Sequence, residues 1–188
     1  MFSKLQVINT GLAKIASSQI ERIDPPRTSL EVFVAGNYPQ WKRSELAKRR
    51  WVFATELRYK LPLTETLTGT YRPFKYLLPV NCLRPIRGRR TEWVQSRRSL
   101  YSADPALEID YIADVDEPEF DPMFVDVFAW RIAIESVEYV TQSNTKKADA
   151  KSLYDDAVRV AGQMNAYVIG PEDNTYDEND YPFLTARY

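Results

Sequence analysis

The side chains best able to do chemistry in this sequence are carboxylates. Asp114-Val115-Asp116-Glu117-Pro118-Glu119 crowds acids around a proline. A calcium loop would need alternating Asp or Asn ligands and a glycine at its sharp turn, and this stretch has no glycine. Helix capping and surface charge account for the same residues. Paired carboxylates could also serve a glycosidase, which sets its acid and its second carboxylate about 5 to 9.5 Å apart. No hydrolase spacing is recognisable here. The chain contains no histidine, which removes Ser-His-Asp, Cys-His and histidine-based metal chemistry together. Cys82 is the single cysteine, so neither an intrachain disulfide nor a thiolate-rich metal site can form. Gly11, Gly36, Gly69, Gly88, Gly162 and Gly170 lie too far apart for a phosphate-cradling GxGxxG or GxxxxGK[ST] loop. The expectation is a non-enzyme with no catalytic residue, no cofactor and no metal.

What remains is charge and aromatic surface. Arg84, Arg87, Arg89, Arg90, Arg97 and Arg98 are opposed only by Glu92. The next stretch has the opposite sign: Asp104, Glu108, Asp110, Asp114, Asp116, Glu117, Glu119 and Asp121 follow with no Lys or Arg between them. Such blocks suit charge-complementary contact between copies or partners. The arginines could instead meet DNA phosphates, which attract Lys and Arg through counterion release, or simply be solvated. Near the end, Glu172, Asp173, Asp177, Glu178 and Asp180 are interleaved with Tyr176, Tyr181, Phe183 and Tyr188. Those aromatics are the preferred partner-binding set, against the alternative that they fold back over their own helices. Trp41, Trp51, Trp93 and Trp130 are further anchor candidates, with Trp51 and Trp130 better suited to the core.

The elements that must position these groups follow from periodicity. The chain has 188 residues, 44% of them hydrophobic, enough for one domain with a core. No apolar run approaches the ~18 residues of a membrane span, and Met1-Phe2-Ser3-Lys4 does not lead into a signal peptide. A soluble, cytosolic protein is expected. Phe2, Leu5, Ile8, Leu12 and Ile15 define one face of a first helix, ended by Ser17-Ser18 and Asp24-Pro25-Pro26. After Ser29 a second helix is expected to break near Gly36 to Pro39 and resume from Trp41 to Trp51. From about Thr55 to Val115, short β-branched and aromatic runs alternate with Pro and Gly. Strands are expected near Phe53 to Tyr59, Tyr76 to Leu78, Thr91 to Gln95 and Glu108 to Ala113. A central helix from about Glu119 to Gln142, opened by Pro118, carries the polar stripe Arg131, Glu135, Glu138 and Gln142. An antiparallel partner helix, about Lys146 to Tyr167, should bury Leu153, Ala157, Val160, Met164 and Val168.

The expected fold class is therefore mainly α. Residues 1–54 and 116–168 would form an antiparallel helical bundle, 55–115 a small β-rich insertion, and 169–188 an extended C-terminal arm. A compact domain of this length has a radius of gyration of roughly 16 Å, whereas such an arm can span up to about 66 Å.

Several strings, in order, resemble the tail tubular protein A family, the head-to-tail adaptors of short-tailed phages. They are Leu12-Ala13-Lys14-Ile15, Trp51-Val52-Phe53-Ala54, Tyr76-Leu77-Leu78-Pro79-Val80-Asn81-Cys82-Leu83-Arg84, Ile109-Asp110-Tyr111-Ile112, Phe120-Asp121-Pro122-Met123-Phe124 and Thr141-Gln142-Ser143. The likeness runs over most of residues 5 to 167. The family often has glycine where Ala16-Ser17 stands, and aspartate where Asn81 stands. The resemblance implies a ring of about twelve copies between portal protein and tail nozzle protein, around a channel through which double-stranded DNA passes, with no membrane. It also implies residence in the virion tail and, during assembly, in the host cytoplasm. The rival readings are a DNA-binding accessory module using Arg84 to Arg98, and a peptidoglycan hydrolase.

Overall fold

The structure, a computed structural model, describes residues 1–86, 92–141 and 143–169. Helix makes up 51% of it and strand 20%, with four helices and two antiparallel sheets of three and four strands. The protein is thus α+β, and the expected mainly-α bundle with a minor insertion is not what forms. The chain divides into two compact units. One comprises Met1–Glu45 with 115–169, and the other 46–86 with 92–114.

In the helical unit, α1 spans Lys4–Lys14, α2 Ser29–Lys48, α3 Pro122–Thr141 and α4 Asn144–Ile169. Ser3 and Gln6 form a reciprocal capping box that starts α1. The helix stops at Ile15, earlier than the Ser17-Ser18 and proline signals suggest. Ala16 takes a left-handed φ of 55°, while the Ala16 and Ser17 amides donate to the Ala13 and Leu12 carbonyls, the Schellman arrangement usually completed by glycine. Gly11 permits the close approach of α1 to α3: a Cβ there would lie 2.8 Å from the Ala129 carbonyl oxygen and from Ile132.

Helix α2 runs unbroken through Pro39, contrary to the expected break. Val34, Tyr38 and Trp41 are buried at four- and three-residue steps that continue across the proline. Packing of this face outweighs the lost amide bond, a defect of about 3 kcal/mol. Helix α3 begins three residues later than expected. Glu117–Glu119 forms a 3₁₀ turn containing Pro118, and Asp121 caps α3 by accepting the Met123 amide at 2.8 Å. Phe124, Val127, Phe128, Ala129, Ile132, Ala133 and Val137 are all buried. The Phe128 ring packs 5.3 Å from Tyr38 and 5.8 Å from Phe124. The central position expected of this helix is what the structure has, since it packs on both α1 and α4.

The β unit holds seven strands: β1 Thr55–Lys60, β2 Leu63–Thr66, β3 Phe74–Leu77, β4 Cys82–Ile86, β5 Trp93–Ser96, β6 Ser99–Ser102 and β7 Glu108–Ala113. They form antiparallel sheets ordered β1-β7-β4 and β2-β3-β6-β5. Four strands were expected. Strand β2 is exposed throughout, β4 contains Pro85, and β6 is four residues bounded by serines, so none carries in its sequence the β-branched, apolar–polar alternation that marks a strand. Trp51, Leu61, Tyr76, Trp93, Leu100, Leu107, Ile109 and Ile112 supply its core. The Tyr76 hydroxyl donates to the Asp104 carbonyl at 2.6 Å.

Candidate interaction surfaces

Three members of the arginine block, Arg84, Arg97 and Arg98, fall among the described residues. Arg84 sits half-buried in β4, paired in register with Ile112 of β7. Arg97 and Arg98 make the two-residue turn between β5 and β6, in the other sheet. Arg97 has a φ of 54°. The Arg98 guanidinium donates to the carbonyls of Leu78 and Pro79, so its charge helps to tie that turn down. Arg87, Arg89 and Arg90 lie outside the described residues, as do Tyr176, Tyr181, Phe183 and Tyr188.

Part of the acidic block is occupied in holding the chain together. Asp110 accepts the Arg58 amide at 2.9 Å, and its other oxygen meets Arg50 at 3.3 Å. Asp116 pairs with Lys42 at 3.7 Å, and Asp121 is the α3 cap. The buried Tyr38 phenol is held in its protonated form by burial first and by the nearby Glu117 carboxylate second. No group of three or more acidic, cysteine or histidine side chains suited to a metal comes together among the described residues. None of the described helices is long and apolar enough to cross a membrane. Burial pushes the Cys82 thiol up to about 11, with Arg98 pulling weakly the other way.

Of the tryptophans, Trp41, Trp51 and Trp93 are buried. Trp130 is half-buried against Ile15, Ala133 and Val137, under the Lys14 ammonium at 4.2 Å. They belong to the chain's own packing and are not free anchors.

The surface that sequence reasoning missed is on α4. The stripe expected to be buried there is instead substantially open: Leu153 is 47% exposed, Met164 52% and Val168 70%, and Tyr167 beside them reaches 82%. The helix packs inward through small residues, with Ala150, Val158 and Ala161 buried. Tyr154 reaches Glu45, which is itself buried, at 2.8 Å. The buried residues Ala150, Val158 and Ala161 recur at steps of eight and three, a line beside the one through Leu153, Met164 and Tyr167, and it is this line that packs while its neighbour stays open.

A second open patch lies in the β unit. Strand β1 is an edge of its sheet and is exposed after its first residue. Leu57 is 57% exposed and Tyr59 39%, with Arg58 and Lys60 interleaved. The register shifts between Glu56 and Tyr59, and Arg58 there has a φ of 51°.

No protein-family model matches this chain, and no curated protein matches it.

Proposed function

We propose that the chain is a structural head-to-tail adaptor of a tailed-phage virion, one subunit of a ring that joins portal to tail nozzle around the DNA channel. The observation that carries the reading is the open apolar row on α4, with Leu153, Met164 and Tyr167 each about half exposed or more. An outer row of large apolar residues on a folded domain is the mark of a surface that acts by being covered. The residues that carry the family resemblance add support. Leu12, Trp51, Ala54, Tyr76, Ile109, Ile112, Phe120 and Phe124 are buried, while Val52, Leu77 and Val80 of the same strings are exposed, so part of the likeness falls on framework positions.

In this role the subunit acts by association and makes or breaks no bond. Many modest contacts repeated around a closed ring become stable together, because each seated copy raises the effective concentration for the next. Imaging of native particles tests the reading. Symmetric density for this chain between portal and nozzle is expected; particles that mature without it, or turnover of a substrate by the purified chain, would overturn the proposal.

A further inference from the structure

We infer that the bulge in β1, held in place by the Asp110 carboxylate, is a guard on the sheet edge that keeps this exposed strand from pairing with the backbone of another chain. The inference stands apart from the adaptor reading and rests on the β unit alone.

An outer strand carries unpaired amides and carbonyls along one side, a template on which a further strand can add. Strand β1 is such an edge. It is six residues long and exposed from its second residue onward, with Leu57 and Tyr59 in the open. The other three edges of the described sheets are blunted by their own makeup. Strands β2 and β5 have only four residues each, and β4 has Pro85, which supplies no amide, together with a register shift between Cys82 and Arg84. Short edges, prolines and bulges are the devices that discourage stray pairing. Strand β1 is the longest of the four edges and has no proline, so its protection falls to its bulge.

Glu56 faces Tyr111 and Tyr59 faces Ile109, so Leu57 and Arg58 together stand across from Asp110 alone. One extra residue of this kind bends the strand and sharpens its twist, which interrupts the straight row of groups that an incoming strand must match. The extra residue is accommodated by Arg58 at a φ of 51°, a conformation that residues with a side chain seldom adopt, and it therefore needs a fastening. Asp110 provides one from directly across the ladder. Its Oδ1 accepts the Arg58 amide at 2.9 Å, and its Oδ2 accepts from the Arg50 guanidinium at 3.3 Å, on a side chain only 11% exposed. The carboxylate is thus anchored on one side and grips the bulge on the other.

Deletion of Arg58 from the full chain tests the guard, because it removes the extra residue and leaves the pairs on both sides in register. Incubated at equal concentration, the deletion variant should convert several-fold faster than the unmodified chain into material with the amide I absorption of intermolecular β-sheet. Arg58→Gly suits a left-handed φ and keeps the bulge, so it should match the unmodified chain. Adding Leu57→Lys to the deletion should restore solubility by placing charge on the flattened edge. Leu100→Ala, at a buried position in the other sheet, gauges what instability alone does, with all variants compared in urea at equal unfolded fractions. Asp110→Ala, which leaves β1 at full length and removes only the fastening, replaces the deletion if the deletion variant does not fold. The inference is overturned by an opened edge that converts no faster than the unmodified chain, by Leu100→Ala converting equally fast, or by Leu57→Lys failing to slow the conversion.

Discussion

The helical and β units solve the problem of burying a core by different means. In the helical unit the work is done by side-chain volume: one face of α3 is buried from Phe124 to Val137, Phe124 and Phe128 stack, and Phe120 and Tyr38 pack against them. In the β unit a core that includes Trp51, Tyr76, Trp93 and Leu100 is supplemented by polar pinning. Tyr76 reaches a carbonyl across its sheet, Ser102 Oγ donates to the Glu92 carbonyl, Asp110 holds an amide of the β1 bulge, and Arg98 holds two carbonyls. Packing by volume tolerates irregular backbone, as the proline inside α2 shows, but it punishes any change in volume. Pinning by hydrogen bonds tolerates exposed strands with little apolar content, and it leaves edges open to other chains.

The contrast can be broken first at Phe128. Phe128→Ala should cost about 3 to 5 kcal/mol, the usual range for emptying an aromatic site in a packed core. Urea denaturation followed at 222 nm should show the midpoint falling accordingly. A loss under about 1 kcal/mol would mean that volume is not what holds this unit. Next comes a pair of glycines. Gly11→Ala drives a methyl into Ile132 and the Ala129 carbonyl and should cost about 1 to 3 kcal/mol, whereas Gly36→Ala, with open space around it in α2, should stabilise by roughly 0.5 to 1 kcal/mol. Equal effects at the two sites would remove the evidence for close α1–α3 packing.

The smallest effect near neutrality is a dependence on acid. Glu31 accepts the amides of Arg27 at 2.7 Å, Thr28 at 3.0 Å and Glu21 at 3.3 Å, and these bonds, led by Thr28, lower its carboxyl from 4.5 to about 2. A carboxyl depressed in the folded state contributes stability that is fully present above its unfolded value and is lost as pH falls through the folded one. Thermal midpoints should therefore be flat with respect to this group from pH 7 to about 5 and decline toward pH 2. Glu31→Gln should flatten part of that decline.

What could be read in advance follows the same division. Helical periodicity survives in α1, α3 and α4 because volume packing writes itself into sequence at three- and four-residue steps. It survives in α2 as well, where Val34, Tyr38 and Trp41 keep their spacing across Pro39, so the expected break gave local propensity too much weight over tertiary burial. The Thr28 and Glu31 capping box, with Thr28 Oγ1 accepting the Glu31 amide, was also present as a Thr-x-x-Glu signature. Strands β2, β4 and β6 were not legible, since β2 is exposed along its whole length, β4 carries Pro85 and β6 is only four residues long and bounded by serines, so none offers the β-branched alternation that marks a strand in sequence. That omission turned two sheets into a small insertion and the fold into a mainly helical one. On α4 the stripe expected to be buried is largely open at Leu153, Met164 and Val168, and the line that packs runs through Ala150, Val158 and Ala161 beside it; periodicity marked the helix but not which line of it closes.

Cys82 gives the β region a clock of its own. It is the only thiol in the molecule, it sits at the start of β4, buried, and its proton is held well beyond neutral pH. Sulfur in that state ignores oxidants and alkylating reagents until the strands around it part, so the unmodified protein already carries a single-site reporter. The rate at which a maleimide captures Cys82 measures how often this half of the chain opens.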